Sequence, residues 1–337
     1  MNILAVSSWY GANAPRFLVD ALERVGFNIF RIGPRYDFHL DMQWTDSEMP
    51  KIDLELPKNT NWYIDDYVDM ATRVGCTPDL VFISEESYNN LIVNTDKIPS
   101  ALWSLDGWQN QLDRIDMIKP TIGYQAQPRG NQFEPREEDD PRWKFLPSAA
   151  APWIHQCLGL ERTIDFTLLA TMYTKRPAIV EGLKSQGFSV IAGQKKTPEY
   201  VRGYNKSLAT YHNPGWHEAK YRFFESAMIG CLNISATNHI FDRLGYQTWR
   251  TYVPVITEMT DDGPWATPEA IGKVLTDIKN NPVFFKGIAT AARQLTCERN
   301  SYYNRCQTIL ADLDMEKEAE QCQPFIDGAW KEHLGEL

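Results

Sequence analysis

A chain of 337 residues with 43% apolar content is long enough to bury more than one core, and no apolar run approaches the ~18 residues that a membrane-crossing helix requires. The formal net charge of −10 argues against general affinity for nucleic acid or an anionic membrane surface, since nonspecific binding there rests on Lys and Arg neutralising phosphate. Cys76, Cys157, Cys231, Cys297, Cys306 and Cys322 show no paired metal spacing, so buried free thiols in a reducing, cytoplasmic setting are expected.

The chain opens on an apolar run at 2–8 (NILAVSS), which predicts a strand and lacks the basic region, apolar core and cleavage site of a signal peptide. Residues 15–25 place Phe17, Leu18, Ala21, Leu22 and Val25 on one helical face. The turn between them carries Gly11, where backbone amides backed by a helix N-terminus can approach a phosphate or sugar. A required positive φ explains the same glycine. No GxGxxG run or P-loop lysine is present, which gives a dinucleotide oxidoreductase or NTPase little support. Further strands are predicted at 27–32, 78–84, 100–105 and 121–125, while 34–58 and 127–143 read as loops.

Small residues and Pro152 mark a boundary near 150–162, and the alternation then restarts, with strands at 164–170, 188–192, 208–211, 232–235 and 252–256. After Pro268 the pattern is helical through 313, and 324–333 predicts a last short helix. Strands alternating with helices argue for parallel sheets covered on both faces.

The segment 211–236, YHNPGWHEAKYRFFESAMIGCLNISA, reads as a turn, an amphipathic helix and a buried strand, an order that commonly builds a site for a phosphorylated ligand. Pro214 and Gly215 break the chain, and Phe223, Phe224, Ala227 and Met228 face a core. Arg222 and Glu225 share the other face, so a guanidinium suited to a diphosphate lies one turn from a carboxylate suited to two ribose hydroxyls. That pair fits a nucleotide sugar. The competing explanation is a surface ion pair worth well under ~1 kcal/mol.

This segment resembles the donor-binding signature of the GT-B glycosyltransferases, and its Arg222, Phe223, Phe224, Glu225 run, followed by Ala227 and Gly230, is most similar to the spore-maturation CgeB-like branch. Residues 165–194 resemble the opening strand, arginine-led helix and glycine-ended strand of that family's second domain, and 199–214 the next helix and strand. SALWSLDGWQ and FLPSAAAPWIH are similar to the first domain's strand end and the turn into the linker. The resemblance covers roughly 25–245 and is weak in the first domain.

It implies an α/β GT-B fold, two Rossmann-like doubly wound domains facing a central cleft. The expected divisions are an acceptor domain at 1–155, a donor domain at 156–320, and a C-terminal helix at 321–337 packing back on the first domain. It also implies a glycosyltransferase moving a hexosyl or pentosyl group from a nucleotide sugar to an acceptor hydroxyl. Arg176, with Lys175 nearby, matches the family's arginine and would meet the pyrophosphate. Tyr204 and Asn205 match its tyrosine-asparagine pair and would support the nucleoside. Gly193 and Gln194 end a strand on the cleft side, where Gln194 can read a base edge. Lys220 and His217 open the donor helix, placed to neutralise phosphate or touch the transferred sugar. Many retaining relatives carry a second glutamate eight residues before the helical one; here that position is His217, with Glu218 adjacent.

Asp106, just past a buried strand, is the candidate catalytic group, accepting the acceptor proton in an inverting reaction or orienting a substrate in a retaining one. A helix N-cap is its structural alternative. Glu85 and Glu86 end a comparable strand and stand in reserve as bases. Arg222, Arg176 and the helix N-terminus can stabilise the leaving diphosphate by themselves, so no metal and no cofactor beyond the donor substrate are expected. Glycan, glycolipid, protein and modified nucleobase acceptors all stay open, the last disfavoured by the acidic balance although Arg129, Arg136 and Arg142 lie in the long loop. Trp9, Trp103, Trp108 and Trp143 can stack on such acceptors. A sugar-nucleotide epimerase of the same fold and a noncatalytic nucleotide-sugar-binding protein are the alternatives.

Overall fold

The computed structural model describes residues 1–9, 13–35, 38–39, 42–43, 49–57, 62–85, 91–92, 98–105, 120–126, 141–213, 219–260 and 263–334. They divide into two compact units, Met1–Ser148 with Tyr302–Phe325, and Ala149–Ser301 with Ile326–Leu337. Among the described residues no helix is long and apolar enough to cross a membrane. All six cysteines are buried and free.

In the first unit, β1 (Asn2–Val6) leads to α1 (Ala14–Val25). The helix starts where the Asn13 side chain accepts from the Arg16 amide at 2.9 Å, with Pro15 in the first turn, and stops at Gly26, whose φ of 110° is left-handed. It buries the five apolar residues that its sequence aligns on one face. Then follow β2 (Asn28–Gly33), β3 (Leu54–Glu55), α2 (Ile64–Arg73), β4 (Leu80–Glu85), β5 (Ser100–Ser104), β6 (Ile122–Gln125) and β7 (Trp143–Phe145). The sheet runs β7-β6-β5-β4-β1-β2-β3 and every neighbouring pair is parallel. β3 comes from 34–58, which the sequence reads as loop; two residues pairing with Ile32 and Gly33 are too few to leave a periodic signal. Leu4, Val6, Ile32, Val81, Ile83 and Leu102 form the core with Ile64, Tyr67 and Ala71 of α2, each large apolar side chain contributing about 1.5–3 kcal/mol by burial. Gly33 has φ 146°, and a Cβ there would lie 1.7 Å from the Ser7 carbonyl oxygen, so only glycine fits beside β1.

The second unit contains β8 (Ile164–Leu168), α3 (Arg176–Ser185), β9 (Val190–Ala192), α4 (Thr197–Asn205), β10 (Ser207–His212), α5 (Tyr221–Ile229), β11 (Leu232–Ser235), α6 (His239–Arg243) and β12 (Val253–Pro254). A hairpin of β13 (Thr257–Thr260) and β14 (Gly263–Ala266) precedes α7 (Pro268–Asn280) and α8 (Pro282–Arg299). This sheet is also parallel, in the order β9-β8-β10-β11-β12. Side chains alternate along its strands. Phe166, Leu168, Ala209, Tyr211 and Ile234 join Ile179, Leu183, Ile271 and Leu275 in one core. Thr210, His212 and Asn233 take the other face, where Ser226 of α5 hydrogen-bonds both His212 and Asn233.

The tail comprises α9 (Tyr302–Asp312), α10 (Glu316–Glu320) and α11 (Gln323–Leu334). Tyr302–Phe325 groups with the first unit, whereas the sequence reading places that return at 321–337. The bonds explain the difference. Tyr302 packs against Phe17 and Trp103, Arg305 donates to the Pro147 and Ser148 carbonyls, and Asp312 accepts from Tyr124 and Lys144.

Candidate functional site

In the second unit strand order reverses between β8 and β10, and open α/β sheets bind ligands outside the carboxyl ends of their strands at such a point. There, Leu168 at the end of β8, Leu169 and Ala170 just past it, Thr210 to His212 of β10 and the following Asn213 line a small pocket with Arg176, Tyr204, Lys220, Arg222 and Trp265. Among the described residues three cations line it and no carboxylate does.

Arg176 is the first residue of α3 and is buried, donating from Nη1 to the Thr171 carbonyl at 2.7 Å with its guanidinium 4.3 Å from the Tyr173 ring centre. Burial, and then the neighbouring Arg222 charge, pull its pKa below the usual arginine value, against the opposing effect of Tyr173. Lys220 is the N-cap of α5 and offers no side-chain acceptor to the first helical amides. Arg222 follows in the first turn. Its guanidinium lies 4.8 Å from the Tyr221 ring centre and makes no hydrogen bond or ion pair among the described residues. Burial works to lower its pKa, but the phenols of Tyr221, Tyr200 and Tyr204 and the Glu225 carboxylate hold it above the usual value.

His212, buried at the end of β10, has Nε2 3.0 Å from Ser226 Oγ. Burial pushes its pKa down to about 3, with Arg222, Arg176 and Lys220 adding and a hydrogen bond to Asn233 opposing. It is therefore neutral at physiological pH. Two further polar groups line the pocket without partners among the described residues: Thr210 Oγ1 and Trp265 Nε1 are both buried and unbonded. Such orphans typically cost about 1–3 kcal/mol each, and their convergence with unpaired Arg222 marks a place built for an acceptor-rich ligand.

Glu225 sits one turn behind Arg222 and is 4% exposed, which excludes the surface ion pair. No hydrogen bond or ion pair joins it to Arg222. Its Oε2 accepts from the Tyr200 hydroxyl and its Oε1 lies 3.2 Å from His155 Nε2. The Ala151 amide donates to His155 Nδ1 at 3.0 Å, which fixes the proton on Nε2 facing the carboxylate. Burial raises the Glu225 pKa, but His155, Tyr200 and Arg222 together hold it below the ordinary glutamate value. The carboxylate is thus an ion held behind the pocket wall.

Tyr204 lines the pocket, its ring 4.8 Å from that of Tyr200. Its neighbour Asn205 is elsewhere. It accepts from the Leu158 amide at 2.6 Å and donates to the Gln156 and Val201 carbonyls, tying residues 156–158 to α4. Gly193 ends β9 at φ 97°, a conformation in which a side chain is strained, and Gln194 Nε2 donates to Thr171 Oγ1 at 2.8 Å. Gly11, Glu86, Asp106, Trp108, His217 and Glu218 lie outside the described residues. Glu85 closes β4 by its backbone, and its side chain is also outside them. No sequence motif marks Thr210, His212, Trp265, Tyr200 or His155. Tyr200 had a signal, standing four residues before Tyr204 on one helix face. His155 and Trp265 reach the site through long-range folding and leave no local trace.

No family model matches the chain, and no curated protein sequence matches it. Solved structures do. HepE from Anabaena in complex with UDP superposes with a TM-score of 0.61 at 11% identity, covering 93% of this chain and 100% of that one. The catalytic domain of starch synthase IV from Arabidopsis thaliana, bound to ADP and acarbose, gives 0.59 at 10% identity over 95% and 99%. Sucrose-phosphate synthase from Thermosynechococcus elongatus gives 0.54 at 11% over 98% and 100%. This likeness, together with two parallel doubly wound sheets, establishes an α/β fold of the GT-B type with two Rossmann-like units.

Proposed function

We propose that the chain is a glycosyltransferase that binds a nucleoside-diphosphate sugar at the switch point of its second unit and transfers the sugar to an acceptor hydroxyl. The observation that carries this reading is the pocket wall: Arg176, Lys220 and Arg222 converge with the Thr210 hydroxyl and Trp265 indole, which have no partner among the described residues, and no carboxylate among those residues lines the pocket. A diphosphate supplies the charge and acceptors that this wall lacks. As the glycosidic bond to the diphosphate breaks, negative charge grows on the leaving oxygen, and guanidinium groups already held in place stabilise it without reorganisation. Neutral His212 keeps the wall from carrying a further charge when the site is empty. The nucleotides named in the neighbouring structures, UDP in HepE and ADP in starch synthase IV, set the ligands to try first.

Glu225 takes the ribose hydroxyls in this reading, because a carboxylate has about four acceptor sites and Tyr200 and His155 occupy two. Gly11 and Gly193 let the donor approach backbone, His217 contacts the transferred sugar, and Asp106 serves the acceptor hydroxyl, with Glu85 as the reserve base. The likeness of the Arg222–Glu225 run supports membership of the CgeB-like branch. Calorimetry with UDP, ADP, GDP and their sugars tests the site. One nucleotide diphosphate should bind, and Arg222→Ala should weaken it about 10- to 100-fold, the loss of one or two charge-assisted hydrogen bonds. Unchanged affinity in that variant removes Arg222 from the site. Isomerised donor without acceptor identifies an epimerase instead, and tight binding without turnover a sensor.

A further inference from the structure

A second cavity lies in the same unit at the other end of the strands, beside Leu208 near the start of β10 and Leu232 at the start of β11. It measures about 330 Å³, within the range of small-molecule sites. Its apolar wall includes Ile278 of α7 and Phe285 and Ala289 of α8. Arg293, one turn further along α8, borders it with 1% exposure. None of the three guanidinium nitrogens of Arg293 has a hydrogen-bond partner among the described residues. No carboxylate among the described residues lines the cavity.

The nearby Arg162 shows what a satisfied guanidinium looks like here. It donates to the carbonyls of Tyr204 at 3.0 Å and Gly230 at 2.7 Å, and to those of Ser207 and Ile229, which closes the C-terminal ends of α4 and α5. Arg293 closes nothing. A buried charge without hydrogen bonds is among the heaviest penalties a fold can carry, and it persists where a partner is supplied. Lys286, also on the cavity wall, is exposed and adds positive charge at the rim.

We infer that this cavity is a second binding site, for a small organic anion whose carboxylate or phosphate head pairs with Arg293 and whose apolar body lies against Leu208, Leu232, Ile278, Phe285 and Ala289. The planar fork of arginine suits either oxyanion. The site stands independently of the switch-point pocket, because no described residue lines both.

Thermal melting and calorimetry on the full chain test it with four probes below their micelle concentrations: octanoate, octyl phosphate, 1-octanol and inorganic phosphate. Octanoate or octyl phosphate should bind and raise the Tm, and their ratio identifies the preferred head group. 1-Octanol lacks the head and inorganic phosphate the body, so both should bind at least tenfold more weakly. Arg293→Met should weaken the better probe at least tenfold while raising the Tm of the ligand-free protein, since it removes an unpaired buried charge. Arg222→Ala should leave the affinity for octanoate unchanged. Should Arg293→Met not fold, Ala289→Leu narrows the cavity with the charge kept and should weaken the same probe. Binding of no probe, equal binding of 1-octanol, equal binding of inorganic phosphate, or undiminished affinity in Arg293→Met or Ala289→Leu each overturns the assignment.

Discussion

His212 and Glu225 show opposite uses of burial within a few ångströms of helix α5. Glu225 stays charged because Tyr200 and His155 donate to it, while His212 stays neutral because three cations and a dry environment oppose its protonation. The histidine gives a pH signature. Its folded pKa is depressed to about 3 from 6.5, so below pH 6.5 the unfolded chain binds a proton that the folded one refuses. Stability contributed by this group is therefore whole above pH 6.5 and falls as pH drops towards 3, by up to about 1.4 kcal/mol per pH unit. Urea unfolding from pH 7 to pH 5 should show that slope, and His212→Gln should flatten it. An identical slope in the variant places the dependence on other groups. Diphosphate binding would shift the same equilibrium, because anionic charge beside His212 offsets Arg222 and Arg176.

At the scale of elements, β8, α3, β10, α5 and β11 were legible because each carries its own period: alternation or apolar runs in the strands, and Phe223, Phe224, Ala227 and Met228 on the buried side of α5. Arg222 and Glu225 were legible as a pair, but their division of labour was not. Spacing places two side chains on one helix face and says nothing of what α4 brings to meet them. The β13–β14 hairpin illustrates the harder case. The Ala266 amide donates to the Tyr211 hydroxyl at 2.9 Å across 55 positions of sequence, and this bond, with the burial of Trp265 and Ala266 in the same core as Tyr211, brings Trp265 to the pocket. The buried Trp265 Nε1 has no partner among the described residues, so Trp265→Phe removes an orphan donor while keeping most of the apolar ring. The ligand-free variant should melt at the wild-type temperature or slightly above it. Its affinity for the nucleotide diphosphate should fall about 3- to 10-fold, one neutral hydrogen bond. A large loss of stability with affinity unchanged would make the indole a packing residue only.

For the whole molecule, the legible feature was the repetition: two sets of alternating strands and helices, resolved as sheets in the orders β7-β6-β5-β4-β1-β2-β3 and β9-β8-β10-β11-β12. What sequence could not place was the route of the tail, because α9 is amphipathic in the same way whether it joins the first unit or the second. Its membership rests on contacts far apart in sequence, among them Tyr302 against Phe17 and Trp103, Arg305 with the Pro147 carbonyl at 2.8 Å and Asp312 with Tyr124 at 2.9 Å. This unequal division makes the two units differ in independence. The first includes Tyr302–Phe325 from beyond the second, whereas Ala149–Ser301 holds an entire five-stranded sheet and all the described residues that line the switch-point pocket. Its ends are already joined, since Ala150 donates to the Asn300 carbonyl at 3.1 Å. A fragment of residues 149–301, which omits only Ile326–Leu337 of that unit, should fold cooperatively and bind the nucleotide diphosphate within about tenfold of the full chain, a cost of about 1.4 kcal/mol. If Asp106 and Glu85 hold the roles proposed for them it should transfer no sugar, because both positions fall outside residues 149–301. Circular dichroism melting with calorimetry on the fragment checks both points. A folded fragment that does not bind, beside a full chain that does, would mean that the diphosphate site draws essential contacts from outside the second unit.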